Sequence, residues 1–391
     1  MNSSASAAPK EGGVQLALFA LLLGNFATGL AVLAPAGMIS VLAKDLNVTI
    51  REAGFLVTAG AVMLCVGSPL MAWVTTRIDR RTLLTSVLLI TALCHGLSAL
   101  APDFWTLLAA RVVMLAAAAV YTPQAANAVA LLVEPERRAG SISIIFLGWS
   151  LAVAAGLPGI SLGSQHIGWR EVHAFCCAIT LAAGVLNYMS LRPGLLGEPL
   201  SLQSWLDVAR NPLMMLLLAI TALHTSGQFA LLTYIDPLTR MRTGAGAELI
   251  ALLFSLFGIC GFVGNVIAAR LAGSIGALKT SVIFMCSLLV GIAFWALGSA
   301  LIATILASVA FWGLGFAAFN SLQQARLVAA GPHLSSATVA LNTSALYVGQ
   351  AVGSALGGLL FARGLYDCIG YLSTAFVLAA LLLILPTRGR G

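Results

Sequence analysis

Long apolar stretches separated by short polar connections dominate the chain. Twelve of them approach or exceed the ~20 residues that a helix needs to cross a bilayer, over 15–40, 52–76, 82–101, 104–133, 139–163, 168–191, 211–237, 248–272, 278–298, 301–329, 335–361 and 367–386. Strands of a transmembrane barrel would be shorter and would alternate residue by residue. The pattern therefore predicts an all-α integral membrane protein of twelve helices. The longest polar connection, from Arg192 to Pro212, is rich in Pro, Gly and charge. It divides the chain into a cytoplasmic tail over 1–14, a six-helix bundle over 15–191, a linker over 192–210 and a second six-helix bundle over 211–391. Within the linker, SLQSWLDVAR has the pattern of a short amphipathic surface helix.

The two halves echo one another. RRAGSISIIFLGWSLAVAAGLPGISLGSQHIGWR, from Arg137 to Arg170, carries Gly148, Ala152, Gly156, Gly159 and Gly163 along one side, with Pro158 among them. Ala345, Gly349, Gly353 and Gly357 repeat the stripe, the last three lying 201 residues after Gly148, Ala152 and Gly156. GNFA at Gly24 returns as GQFA at Gly227, Pro35 as Pro237, and TPQAANAVA at Thr122 as SLQQARLVA at Ser321, all at offsets between 199 and 203. Small residues every three or four positions let helices approach closely in lipid. Both stripes are accordingly expected to form close helix packing, the first as a kinked pivot between the halves. A parallel repeat of six-helix units is an arrangement of secondary transporters.

At 60% hydrophobic and 8% charged residues, with a mean hydropathy of +1.00, the chain is excluded from the soluble globular class. The net charge of +7 does not mark a nucleic-acid surface, because the basic residues are scattered through the connections. Topology accounts for them. With the amino terminus in the cytoplasm, thirteen Lys and Arg fall on that side and six on the other, as the positive-inside rule expects. Both termini are then cytoplasmic, and the first helix is an uncleaved span rather than a signal peptide. The seven cysteines lie in or beside apolar runs without metal-ligand spacing and read as core residues. No metal or cofactor is expected.

Arg111 is the one charged side chain well inside a span, and a cation there costs about 2.5–3.5 kcal/mol on insertion scales. Either it snorkels or bonds helix carbonyls, or it faces a wet cavity and meets an anionic group or a protonatable partner. Asn25, Thr28, Tyr121, Gln124, Asn127, His224, Gln228, Asn320, Gln323 and Gln324 place polar groups on the first, fourth, seventh and tenth runs. Singly, such groups serve as interhelical glue; as a set, with Arg111, they are expected to line a central substrate cavity. Asp236, His224 and Arg111 are the candidates for proton coupling. Arg77, Asp79, Arg80 and Arg81 cluster in the turn between the second and third runs, as a topology anchor or as a conformational latch with carboxylates of EPERR at Glu134.

On these residues the chain resembles the major facilitator superfamily, specifically the twelve-helix drug and sugar efflux antiporters related to arabinose-efflux permeases. The span from Gly148 to Gly163, with Pro158 and the following Gly168, Trp169 and Arg170, looks like the antiporter signature of that group. RIDRRTLL looks like its signature between helices 2 and 3, and Arg111 stands where the family often has an arginine in helix 4. The chain departs from the pattern at Ala72, Thr76 and Asp79, and Gly24 to Pro35 contains no carboxylate where many relatives have one. The resemblance implies a bacterial inner-membrane transporter that works by alternating access in a lipid bilayer, as a monomer, exporting a small-molecule substrate in exchange for protons. Uptake or facilitated diffusion by the same fold stays open. An intramembrane enzyme is disfavoured because His95 and His224 have no nucleophile or metal-ligand companions at helical spacing. A receptor or scaffold is disfavoured because no connection is long enough for a soluble domain.

Overall fold

The computed structural model describes residues 11–75, 77–196, 202–297, 301–331 and 334–387. Residues 1–10 of the expected tail, Thr76, residues 197–201 of the linker and residues 388–391 lie outside the described residues. So do the side chains of Ala72, Glu136 and Arg138.

The described chain is helical. In order it forms α1 (Glu11–Asp45), α2 (Ile50–Val74), α3 (Arg80–Ala99), α4 (Phe104–Ala118), α5 (Tyr121–Leu132), α6 (Pro135–Leu151), α7 (Leu157–His166), α8 (Trp169–Ser190), α9 (Leu202–Arg210), α10 (Pro212–Leu232), α11 (Ile235–Thr243), α12 (Ala247–Ile275), α13 (Ala277–Ala296), α14 (Ile302–Ala330), α15 (Ser335–Ala362) and α16 (Tyr366–Ile384). A π-helical turn, Ala152–Gly156, joins α6 to α7. Among the described residues these elements make twelve spans long and apolar enough to cross a membrane. Two spans are divided: α4 with α5 is the fourth, and α6 with the π turn and α7 the fifth; the seventh, Pro212–Leu232, is α10, which α11 follows after a short break. Leu93, Trp105, Phe175 and Tyr371 are exposed, as expected for side chains that meet lipid.

Prolines set the divisions. A helical proline has no N–H to give the carbonyl four residues back, and its ring crowds that carbonyl. The breaks accordingly fall just ahead of Pro123, at 119–120, and ahead of Pro237, at 233–234. Before Pro158 the chain widens into the π turn, where the Leu157 N–H donates five residues back to Ala152. In α1 the backbone leaves helical geometry at Met38, three residues after Pro35.

Two glycine stripes fix the packing. Along α6 and the π turn, Gly148 lies on the Leu22 carbonyl, Ala152 faces Gly29, and Gly156 meets Leu30, so the fifth span seats on α1. Along α15, Gly349, Gly353 and Gly357 lie on the carbonyls of Ala222, Ser226 and Ala230, so the eleventh span seats on α10. The two stripes make equivalent contacts in the two sets of six spans. This differs from the expected pivot between halves, because each stripe is used up against its own first helix. What crosses between the sets is the opposite side of the π turn, where the Ala154 backbone is close to Gly258 of α12, together with α2 lying along α15. Gly159 has open space around it, and Gly163 faces Val172 of α8.

Gly168 turns α7 directly into α8 with φ of 109°, a conformation that suits glycine. That turn presents Trp169 and Arg170 to Asp45 at the end of α1, both with 2.6 Å hydrogen bonds to the carboxylate. The short amphipathic helix expected in the linker is α9, with Val208 buried and Leu206 exposed.

A leucine at Gly353 has only backbone to displace, and overpacking of this kind costs about 1–3 kcal/mol. Gly353→Leu is expected to lower the Tm of the detergent-purified protein. Gly159→Ala, whose added Cβ meets nothing within 4 Å, is expected to leave it unchanged.

Candidate functional site

A cavity of about 390 Å³ lies between the first six and the last six spans. That volume suits a small organic molecule. Its lining starts at mid-span, with Val32 and Leu33 of α1, and continues toward the face where α1 begins and α16 ends, past Asn265, Gln324 and Asn342. Toward the other face the two sets close on each other. Thr58 of α2 and Ser354 of α15 share a 2.8 Å hydrogen bond. The Tyr234 hydroxyl, which donates to the Ser354 carbonyl within its own set, lies against Gly54 of α2. Arg240 of α11, paired with buried Asp236 at 2.5 Å, donates across to Gln165 of α7 at 2.7 Å.

The two sides of the cavity differ in chemistry. The first six spans contribute mainly Val32, Leu33, Phe146, Trp149, Val153 and Leu157; their hydroxyls are Ser150 and Thr122, and Thr122 donates to Asn25 at 2.7 Å. All the amides come from the last six spans: Asn265 on α12, Asn320 and Gln324 on α14, Asn342 and Gln350 on α15, with the Tyr347 phenol beside them. None of the described residues lining the cavity is charged.

Of the residues expected to line a site, Asn320 and Gln324 do so. The others sit behind the walls, held by other groups. Asn25 donates to the Ile145 carbonyl, and Thr28 to the Gly24 carbonyl. Tyr121 donates to Asn187 of α8, Asn127 to Gln124, and Gln124 faces the Thr75 hydroxyl at 3.5 Å. Their spacing of three residues drifts around the helix, and it is Thr122 and Pro123 that reach the cavity. His224 pairs with Gln228 at 2.8 Å, and Gln228 accepts from Trp312, whose ring packs on the cavity-lining Phe257. Gln323 donates to the Leu217 carbonyl.

Arg111 is 3% exposed and is not among the residues that line the cavity. Its Nε donates to the Leu56 carbonyl of α2 at 3.1 Å, Nη2 to the Val32 carbonyl of α1 at 2.7 Å, and Nη1 to the Ala31 carbonyl. Ala31 is four residues before Pro35 and therefore lacks its helical donor. The arginine supplies one. Gly60 makes room, since a side chain there would meet Leu115 and the guanidinium. A second proline-freed carbonyl is treated alike: Cys65, four residues before Pro69, accepts from Ser344 of α15 at 3.1 Å.

The cluster between the second and third spans is tied down locally. Arg80 is buried and donates to the carbonyls of Thr75 and Ile78, and its N–H bonds the Leu195 carbonyl. Arg81 donates to the Tyr188 carbonyl and stacks over the Tyr188 ring at 4.0 Å. Asp79 accepts from the Gly194 N–H, and Arg77 is exposed. The loop is thus pinned to the end of α8 and the start of the linker.

Two features escape the sequence reading. Asn342, Leu346 and Gln350 form a row spaced by four on α15, one residue on from the more conspicuous row of Ala345 and Gly349, hence on the neighbouring face. His95 does have a companion: His173 of α8, 3.0 Å away between Nδ1 atoms, with Trp169 edge-on to it. The partner comes from another helix, so helical spacing within one run gives no sign of it. Among the described residues no group of His, Cys, Asp and Glu has the makings of a metal site.

The family model described as the Major Facilitator Superfamily matches residues 21–334. The inner membrane transport protein YdhP of Escherichia coli (strain K12) is 29% identical over 375 residues, covering 94% of this chain and 94% of that protein. The uncharacterized MFS-type transporter YtbD of Bacillus subtilis (strain 168) is 30% identical over 371 residues, covering 92% and 91%. A chloramphenicol resistance protein of Streptomyces lividans is 31% identical over 264 residues, covering 66% and 67%. In fold, the chain is similar to the crystal structure of a bacterial homologue of the human lysosomal transporter Spinster, inward-facing and unoccupied. That match has a TM-score of 0.67 and 15% identity, over 98% of this chain and 97% of the other.

Replacing Arg111 by Met leaves the Ala31 carbonyl without a donor and removes the added bonds to Val32 and Leu56, and is expected to cost about 2 kcal/mol, read as a lower Tm. Pro35→Ala restores an N–H for Ala31. In the Arg111→Met background it is expected to recover about 1 kcal/mol of that loss, a coupling that a double-mutant cycle measures.

Proposed function

Because this chain belongs to the Major Facilitator Superfamily, a family of membrane transporters, we propose that it exports a small organic solute by alternating access, in exchange for protons. The observation that carries the reading is the cavity between two sets of six spans, closed toward one face by Thr58–Ser354 and Arg240–Gln165. Rocking residues 15–191 against 211–391 about the linker would open that closure and shut the other end. The excess of Lys and Arg makes the face where α1 begins the cytoplasmic one, in a bacterial inner membrane. The cavity is then accessible to substrate from the cytoplasm, as an exporter needs. Likeness to a chloramphenicol resistance protein supports export of drug-like compounds, and the span from Gly148 to Gly163 with Gly168, Trp169 and Arg170 supports an arabinose-efflux-like branch of the family. The protein acts as a monomer and not as an enzyme.

Asp236 is the favoured proton acceptor. Protonation from outside removes the charge that holds Arg240, and Arg240 in turn holds Gln165 of the other set of spans. His224 lies one layer behind the cavity wall, and Arg111 sets the shape of α1; both would act on coupling indirectly. A second reading, facilitated diffusion, has its own support in the absence of any carboxylate from the described cavity lining.

Reconstitution in proteoliposomes with a pH-sensitive dye inside tests both. Chloramphenicol moving against its gradient while protons move the other way is expected. Asp236→Asn is expected to cut proton movement about tenfold while downhill flux persists, Arg111→Ala to abolish coupling, and His224→Ala to weaken it. Flux without proton movement would establish facilitated diffusion; absence of flux for chloramphenicol and for a wider set of antibiotics, sugars and nucleosides would overturn the transport reading.

A further inference from the structure

We infer that the cavity selects uncharged molecules that carry hydrogen-bond donors along one edge and an apolar face along the other, and that Asn320 and Gln350 are the residues that select them. The inference rests on the cavity being the transport site. Its own support lies in how the chain uses its amides. Those of the first six spans near the cavity, Asn25 and Gln124, are held by other protein groups. Asn320 and Gln350 are not. Asn320 Oδ1 and Gln350 Oε1 are buried against the cavity with no protein donor, although the Gln350 side chain belongs to a residue only 2% exposed.

A buried acceptor without a donor is costly, and a ligand N–H or O–H removes that cost. The two acceptors stand on different helices, α14 and α15, so a molecule that meets both brings a donor hydrogen to each. Opposite them, Phe146, Trp149 and Leu157 offer no polar atom that could bond a ligand except the Trp149 indole, and so favour an aromatic or aliphatic face. Charge is disfavoured, because no described lining residue can neutralise it. The division also weights the contacts of the two sets: the amides lie on the last six spans, while the first six offer mainly apolar side chains with the Ser150 and Thr122 hydroxyls. When the sets separate, the amide contacts stay on one side.

The test is equilibrium binding to the full-length protein in nanodiscs, read by calorimetry. The probes are uncharged aromatic diols and amides, chloramphenicol among them, each paired with its O-acetylated or N-methylated counterpart, plus tetraphenylphosphonium as a lipophilic cation. Donor-bearing members are expected to bind tighter than their blocked counterparts. Asn320→Leu and Gln350→Met are each expected to weaken them about tenfold while leaving the blocked members unchanged; Tm reports that the variants fold. The selection is overturned if no pair favours its donor-bearing member, if the variants weaken both members equally, or if the cation binds more tightly than the diols. Flux of the same compounds in proteoliposomes separates the two readings. Solute flux with no discrimination by the variants ends this inference alone, whereas donor-dependent binding without flux ends the transport reading alone.

Discussion

The arrangement of the first four spans depends on one side chain meeting one missing hydrogen. Pro35 bends α1 and strips the Ala31 carbonyl of its donor; Arg111 brings a guanidinium from α4 into that gap and bonds Val32 and Leu56 as well. Each fault is expensive alone, since a cation in lipid and an unmet carbonyl both lose water. Together they cancel. Three helices are thereby held at a bend, and the bend is where α1 turns Val32 and Leu33 into the cavity.

Elsewhere the same constraint works without charge. Pro69 frees the Cys65 carbonyl and Ser344 takes it, this time across the boundary between the two sets of spans. Pro158 is absorbed by a π turn, and Pro123 and Pro237 by short breaks. The glycine stripes complement these bends, bringing α6 and α15 onto the backbones of α1 and α10. Between the sets, the Ala154 backbone packs on Gly258 and α2 lies along α15, and the polar bonds of Thr58 to Ser354 and Arg240 to Gln165 add to that contact.

The spans were legible in the sequence because hydropathy measures the one property a bilayer demands, and their number and order follow from it. The repeat was legible too, since packing against an equivalent helix needs the same small residues at the same spacing. The cavity was less so. Asn25, Gln124 and Asn320 look alike on a helical wheel, yet Thr122 and Ile145 engage the first and Thr75 lies beside the second. Whether an amide is engaged or free is decided by neighbours on other spans, 49 to 120 positions away for these two. The divided fourth span adds a phase shift that a continuous helix over 104–133 does not anticipate. On α15 the glycines drew attention from the amide row beside them. Arg111 is conspicuous in any reading, but only its partners reveal that it supports the backbone instead of facing the solute.

The neutral lining has an electrical meaning. A unit charge carried across the membrane field gains or loses about 2.3 kcal/mol per 100 mV, enough to bias any carrier whose binding site is ionised. Here the cavity walls present dipoles, and the buried guanidinium is fastened to the carbonyls of two helices in its own set of spans. Under the proposed rocking, the empty carrier would reorient with little charge displaced through the field, and its resting distribution between the two faces would follow helix contacts more than voltage.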